Sequence, residues 1–409
     1  VEKPELLAPA GNLEKLKTAI LYGADAVYCG GYNFGLRSGA DNFSYDQLKE
    51  GTNFAHENDA KIYITVNMMP HNNELNELPE YLHGLDELGV DALIVSDPGV
   101  LQLIKDNDLD IPLHLSTQAN TVNWASANFW SKQGFDRVIL ARELGKKEIE
   151  EIGQKTNIGR EIFIHGSMCI SYSGRCLLSN YMADRDANRG KCAHSCRWKY
   201  HLMEEKRPGE YYPIAEDENG AYIMNSKDLN LIERLPDIMD LNLESLKIEG
   251  RMKSLHYVAT TVGVYRKAID SYYKAPENYI LKNAWLEELK KISHRGYTPG
   301  FFIKKPDKND QNYDSSAYRR EYDFMGIVKE YSKEEDLMVV EVRNKFYKGD
   351  TVEIIGPGIE SFKGKVEFII NEAGKRVDEA PHPKELIKIP VDRVVPTHSI
   401  VRRKTRKEN

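Results

Sequence analysis

The chain has 409 residues, 41% of them hydrophobic, and carries a net charge of −7 at neutral pH. That length accommodates one large domain and a smaller one, and no apolar run reaches the roughly 20 residues of a membrane helix. The acidic balance excludes a body that is basic all over, so contact with nucleic acid would need a local basic patch. No signal-like segment opens the sequence, and a cytoplasmic location is expected.

In chain order, short apolar strands alternate with amphipathic helical patterns. Strands are predicted at 5–8, 25–29, 61–66, 92–95, 111–116, 137–140, 161–164 and 245–249. Helical patterns lie between them at 45–55, 75–88, 100–105, 124–133 and 146–156, and a long one covers 256–273. Repeated strand–helix units imply parallel strands joined by crossover helices. Eight such units favour a closed (β/α)8 TIM-like barrel, and no G-x-G-x-x-G follows the first strand to argue for a dinucleotide fold.

A barrel gathers its active site at the C-terminal ends of its strands, and polar residues collect at those ends here. Asn33 and Arg37 follow the second strand, Asn67 the third, Ser96 and Asp97 the fourth, and Ser116, Gln118 and Asn120 the fifth. Arg142 and Glu143 follow the sixth, His165 ends the seventh, and Lys247, Glu249 and Arg251 surround the end of the eighth. All are expected to face one bowl.

Four of the five cysteines, Cys169, Cys176, Cys192 and Cys196, sit in one loop at 165–200. Four soft thiolates within reach of one point can hold zinc or an iron–sulfur cluster. Their spacing lacks the C-x-x-C pairs of zinc ribbons, and the irregular polar filling favours a cluster. Cys29 reads as a buried core residue. From Cys169 to Arg207 there are 8 basic residues against 4 acids, a local inversion of the chain's charge that suits an anionic ligand. Short strands at 200–204, 211–214 and 222–225, with a turn at 217–220, suggest an inserted hairpin region.

The barrel with its cysteine loop is assigned to 1–305, and a polar linker to 306–320. From 321 to 401 apolar residues recur with period two between Gly, Pro and Asn turns, indicating a small all-β domain, a β-barrel or sandwich. Residues 402–409 form a basic tail expected to be disordered and able to touch a phosphate backbone. No G-x-S-x-G, H-E-x-x-H or phosphate-loop motif is present. A thiol peptidase, with Cys169 as nucleophile and His165 or His194 as base, is the competing reading. One thiol would suffice for it, however, and four are clustered.

The stretch H-G-S-M-C-I-S-Y-S-G-R-C-L-L-S from His165 resembles the signature of the U32 peptidase, or collagenase-like, family. The likeness continues through L-L-A-P-A-G-N at Leu6, Y-G-A-D-A-V-Y at Tyr22, F-G-L-R at Phe34, S-T-Q-A-N at Ser116, M-N-S-K-D-L at Met224 and L-K-I-E-G-R-M-K at Leu246. It implies a barrel with a β-rich C-terminal domain. It also implies oxygen-independent hydroxylation in place of proteolysis, with a [4Fe-4S] cluster (zinc being the alternative) and prephenate as co-substrate. The substrates of this family are tRNA wobble uridine, ribosomal RNA cytidine or quinone precursors. Length and the C-terminal domain make the chain most similar to the branch that forms 5-hydroxyuridine in tRNA.

Carried over, the cluster ligands are Cys169, Cys176, Cys192 and Cys196. Prephenate is a dicarboxylate, which guanidinium groups bind bidentately; Arg37, Arg142, Arg251 and Arg175 are the candidates. His165, Arg142 and Glu249 are the expected catalytic set. Ser116, Gln118, Asn120 and Lys247 are expected at the substrate, and a flipped uridine is expected to stack on Tyr172 or Tyr181. The expected partners are tRNA and prephenate, with no membrane; a homo-oligomer or a related family subunit remains open.

Overall fold

The computed structural model describes residues 3–31, 42–169, 171–172, 176, 178–185, 187–189, 191–197, 215–217, 220–222, 226–306, 310 and 318–406. Eight parallel strands form the barrel: β1 (Glu5–Pro9), β2 (Ala26–Cys29), β3 (Lys61–Val66), β4 (Ala92–Val95), β5 (Leu113–Leu115), β6 (Arg137–Ile139), β7 (Gly159–Gly166) and β8 (Ser245–Ile248). Each pairs with the next in sequence, and β8 pairs with both β1 and β7, closing the ring. These strands are short, apolar and buried on both faces, as parallel strands under a layer of helices must be; every residue of A-L-I-V in β4 is buried.

Helices α1 (Leu13–Leu21), α2 (Tyr45–Glu57), α3 (Leu78–Glu87), α4 (Pro98–Asp106), α5 (Trp124–Lys132) and α6 (Lys146–Lys155) follow the first six strands. Four of these starts are set by capping side chains. Asn12, Ser44, Asp97 and Asn123 each accept a backbone N–H from the first turn, which satisfies donors that have no partner inside the helix. Asp97 is thereby accounted for as a cap. Further along lie α7 (Leu178–Ala183), α8 (Leu235–Met239), α9 (Leu255–Lys274) and α10 (Asn283–Lys290).

The floor of the barrel is polar. Arg137 of β6 lies 2.8 Å from Glu5 of β1 and 3.3 Å from Glu161 of β7, and Lys247 of β8 lies 2.8 Å from Glu161. Burial by itself would raise the Glu161 carboxyl, but Lys247 and Arg137 hold it below the usual range. A buried carboxylate is stable here only because two cations share it.

Strands β7 and β8 fall out of step near their ends. Lys247 lies opposite Phe163 and Ile248 opposite His165, leaving Ile164 as one extra residue on β7. Beyond such a bulge the in-out alternation reverses. A short strand, Asp228–Asn230, pairs antiparallel with β7 at this point, and Tyr297–Thr298 adds to it. The strands expected at 200–204 and 211–214 lie outside the described residues; a hairpin is described at Ala215–Asp217 and Gly220–Tyr222.

The C-terminal domain is all-β, built on β9 (Tyr322–Ser332), β10 (Leu337–Val342), β11 (Thr351–Ile355), β12 (Phe362–Lys365), β13 (Leu386–Pro390) and β14 (Ile400–Lys404). These form one antiparallel sheet in the order β12-β11-β14-β9-β10-β13, extended by two short strands. Among the described residues no pairing joins the ends of this sheet. Val328, Met338, Val340, Ile354, Ile389 and Val401 belong to its own core.

The basic tail needs correction. Arg402 is inside β14 and fully buried, 2.6 Å from Glu288 and 3.2 Å from Glu353, while Arg403 and Arg406 reach Asp350. The charges of Arg402, Arg403 and Arg406 are matched by acids remote in sequence, which a scan of the tail alone does not reveal, and residues 407–409 lie outside the described residues. Glu288 belongs to α10, so Arg402 also ties the two domains together. Lys291 reaches Glu353, Tyr22 donates to the carbonyl of Ile355, and Glu14 of α1 pairs with Lys329 and Arg343.

Candidate active site

A cavity of about 320 Å³ opens at the C-terminal end of the barrel. Its walls come from strand ends: Tyr28 from β2, Thr65 and Asn67 from β3 and just beyond it, Ser116 and Gln118 after β5, Arg142 after β6, and Lys247, Glu249 and Arg251 from β8 onward. Its rim is the cysteine loop, and all four cysteines of that loop line it. Cys29 does not; it is buried in the core, and burial pushes its thiol up to about 12.

Charge is the cavity's clearest property. Among the described lining residues five are cations, Arg142, Arg185, Lys247, Arg251 and Lys253, against one carboxylate, Glu249. Lys247 is already balanced by Glu161 beneath it, and its ammonium stands 4.3 Å from the centre of the Tyr28 ring. Arg142 is aimed by its neighbours: it donates to the Ser167 carbonyl at 2.8 Å and lies 4.0 Å over Phe163. Glu249 is 3.8 Å from it, and its buried Nε has no hydrogen-bond partner among the described residues. Arg251 is buried and donates to the Thr65 hydroxyl at 3.1 Å. Gly30 is required there, because a Cβ on it would lie 2.2 Å from Arg251 Nη2.

Uncharged groups line the same cavity. Asn67 donates to the Ser116 hydroxyl at 3.2 Å, and Ser96 donates to the Asn67 carbonyl at 3.1 Å. Ser116 also caps the turn that presents Gln118.

The packed surroundings push the Cys169 thiol above its ordinary value, Arg142 pulls it back, and Cys176 and Cys192 push it up further. His194 donates its backbone N–H to Cys192 Sγ at 3.4 Å. Among the described residues no three Cys, His, Asp or Glu side chains gather as a single metal ion would require. The four thiols line one opening, and four soft thiolate donors are a set that either zinc or an iron–sulfur cluster takes.

His165 is placed elsewhere. It is fully buried and does not line the cavity; the bulge turns it outward against α9, among the rings of Tyr257, Tyr265 and Tyr297 at 5.9, 5.6 and 5.3 Å. Burial lowers its pKa to about 3, so it stays neutral. The expectation that it acts in the bowl is corrected accordingly. Tyr172 is 51% exposed and does not line the cavity, and neither does Asn120, which ends the turn after β5 in a left-handed conformation. Asn33, Arg37 and Arg175 lie outside the described residues, as does the Tyr181 side chain. Thr65, Lys253, Met252 and Tyr318 line the cavity without having been expected there. Lys253 and Met252 lay within a quoted motif, whereas Tyr318 lay in what reads as linker.

The fold and site define a TIM-like barrel whose cationic bowl is rimmed by thiols. The chain belongs to peptidase family U32: that family's model matches residues 11–312, and the model of the family's C-terminal domain matches 320–402. It is 45% identical to tRNA hydroxylation protein P1 of Bacillus subtilis, over 98% of this chain and 95% of that one. It is 40% identical to tRNA hydroxylation protein P of Escherichia coli, over 95% and 94%. It is also 40% identical to an uncharacterized protease of Methanocaldococcus jannaschii, over 86% of each chain. No helix among the described residues is long and apolar enough to cross a membrane.

Proposed function

We propose that this chain hydroxylates tRNA, and in the finer reading that it forms 5-hydroxyuridine at the wobble position with prephenate as co-substrate. The observation that carries the reading is the cavity: five cations and one carboxylate around a small-molecule-sized space, edged by four cysteines. Near-full-length similarity to two tRNA hydroxylation proteins supports the substrate class.

Arg142 and Arg251 bind the co-substrate's carboxylates. Both guanidiniums are held by neighbouring oxygens before any ligand arrives, so little order has to be created on binding. Glu249, beside Arg142 and Tyr28, is the group placed to hold a proton near the reacting carbon. Asn67, Ser116 and Gln118 supply donors and acceptors for a base edge. Cys169, Cys176, Cys192 and Cys196 hold the [4Fe-4S] cluster, which when bound supplies electron transfer or polarises an oxygen.

A peptidase with Cys169 as nucleophile loses His165 as its base, since that imidazole is enclosed by tyrosines, and keeps only His194. The deciding experiment expresses the chain in a bacterial strain lacking its own tRNA hydroxylation and digests the tRNA to nucleosides. Mass spectrometry should find uridine heavier by one oxygen, and only where the cells make prephenate. Gelatin cleavage by the purified chain without such a nucleoside would favour the peptidase instead.

A further inference from the structure

We infer that Tyr318 is the platform on which the target nucleobase stacks when it leaves the RNA and enters the cavity. This deepens the tRNA reading and rests on it. Tyr318 is 46% exposed yet lines the cavity wall, and beside it Met252, 51% exposed, lines the same opening. A large aromatic left half in water at the mouth of a pocket is an unfilled contact surface.

The ring is held in place. The Lys253 ammonium is 4.2 Å and the Arg295 guanidinium 4.6 Å from its centre. Arg295 is itself fixed, 2.9 Å from Asp228 and 3.1 Å from the Ser167 hydroxyl, and Lys253 lies 4.0 Å from the same aspartate. Cations resting on an aromatic ring are attracted to it, so the tyrosine is steadied while 46% of it stays exposed. Proteins that take in single nucleotides combine such a stacking ring with hydrogen-bonding groups for the base edge. Asn67, Ser116 and Gln118 line the same cavity and provide the second element. A planar, hydrogen-bonding base is the ligand that uses both features.

The test compares wild type, Tyr318→Phe and Tyr318→Leu in the complemented strain, reading the fraction of tRNA hydroxylated. Stacking on an aromatic is worth enough that its loss weakens binding roughly tenfold or more. Tyr318→Leu should therefore lose at least about tenfold in hydroxylation and in tRNA affinity of the purified full chain. Tyr318→Phe, which keeps the ring, should restore both. A second measurement uses the wild-type protein alone: tRNA carrying 4-thiouridine at the target position is irradiated in the complex, and the cross-linked peptide should contain residue 318. An active Tyr318→Leu, a Tyr318→Phe as damaged as the leucine variant, or cross-links only to other residues overturns the platform. A wild-type chain that hydroxylates no tRNA base would sink the substrate reading itself, and the platform with it.

Discussion

Arg251 shows how much of the site is decided at single positions. Its guanidinium passes Gly30, where no side chain fits, and ends against the Thr65 hydroxyl on the cavity wall. Removing it takes away a buried charged donor, a change that typically costs ~2–5 kcal/mol of binding. Arg251→Ala should raise the prephenate concentration for half-maximal hydroxylation by about thirtyfold or more; unchanged prephenate dependence would remove it from the pocket. Gly30→Ala should act in the same direction by displacing the guanidinium, and a kinetic titration of the two variants side by side checks this. His165 behaves differently. It is neutral and caged by tyrosines, so His165→Phe should leave the pH–rate profile in place while lowering the melting temperature. A displaced acidic limb in that profile would return His165 to the chemistry.

At the scale of elements, the barrel was legible because the first six strands are short apolar runs each followed by a helix, and the cysteine loop was legible because four thiols fall in one window. What alternation could not convey was the extra residue on β7. It turns His165 away from the bowl, and nothing in E-I-F-I-H-G marks where the register slips; it depends on pairing with β8, which is remote in sequence. The charged run R-R-K-T-R-K from Arg402 reads as a tail for the same reason, since Glu288, Glu353 and Asp350 lie elsewhere in the chain. Tyr318 was missed because a single aromatic in a polar stretch carries no period. The bulge also makes a test. Gly166 has φ +118°, and a Cβ there would lie 2.5 Å from the Glu249 carbonyl oxygen. Gly166→Ala should both destabilise the barrel and move Glu249, so that hydroxylation falls further than the folded fraction measured by circular dichroism; equal losses would make the glycine a folding feature alone.

Across the whole molecule, buried titratable groups set a floor on the pH range. Burial first, with nearby cations, lowers His114 and His165 to about 3 and His294 to about 4. The unfolded chain protonates such groups below about pH 6.5 while the folded chain does not. Each therefore withdraws about 1.4 kcal/mol of stability per pH unit as pH falls from 6.5 toward its folded value. At the domain interface burial raises Glu14 and Glu353, but Lys329 and Arg343 for the first, and Arg402 and Lys291 for the second, hold both below 4.5. Their contribution is complete above that value and is lost as pH drops through the lower folded values. Urea unfolding from pH 7 to pH 4 should show a steep fall in stability that begins near 6.5, and a flat curve would contradict the buried histidines. Arg402→Met should loosen the interface, leaving Glu353 and Glu288 with Lys291 as their shared cation, and this is seen as a lower melting temperature.

The claim that joins these scales is that the four rim thiols of the intact chain hold iron and sulfide above the cationic bowl. Iron and acid-labile sulfide analysis of protein purified without oxygen tests it most directly. The expected result is about four irons and four sulfides per chain in the wild type, lost on Cys→Ala substitution at any of Cys169, Cys176, Cys192 or Cys196. Full tRNA hydroxylation by a chain that contains zinc, or no metal at all, would contradict it.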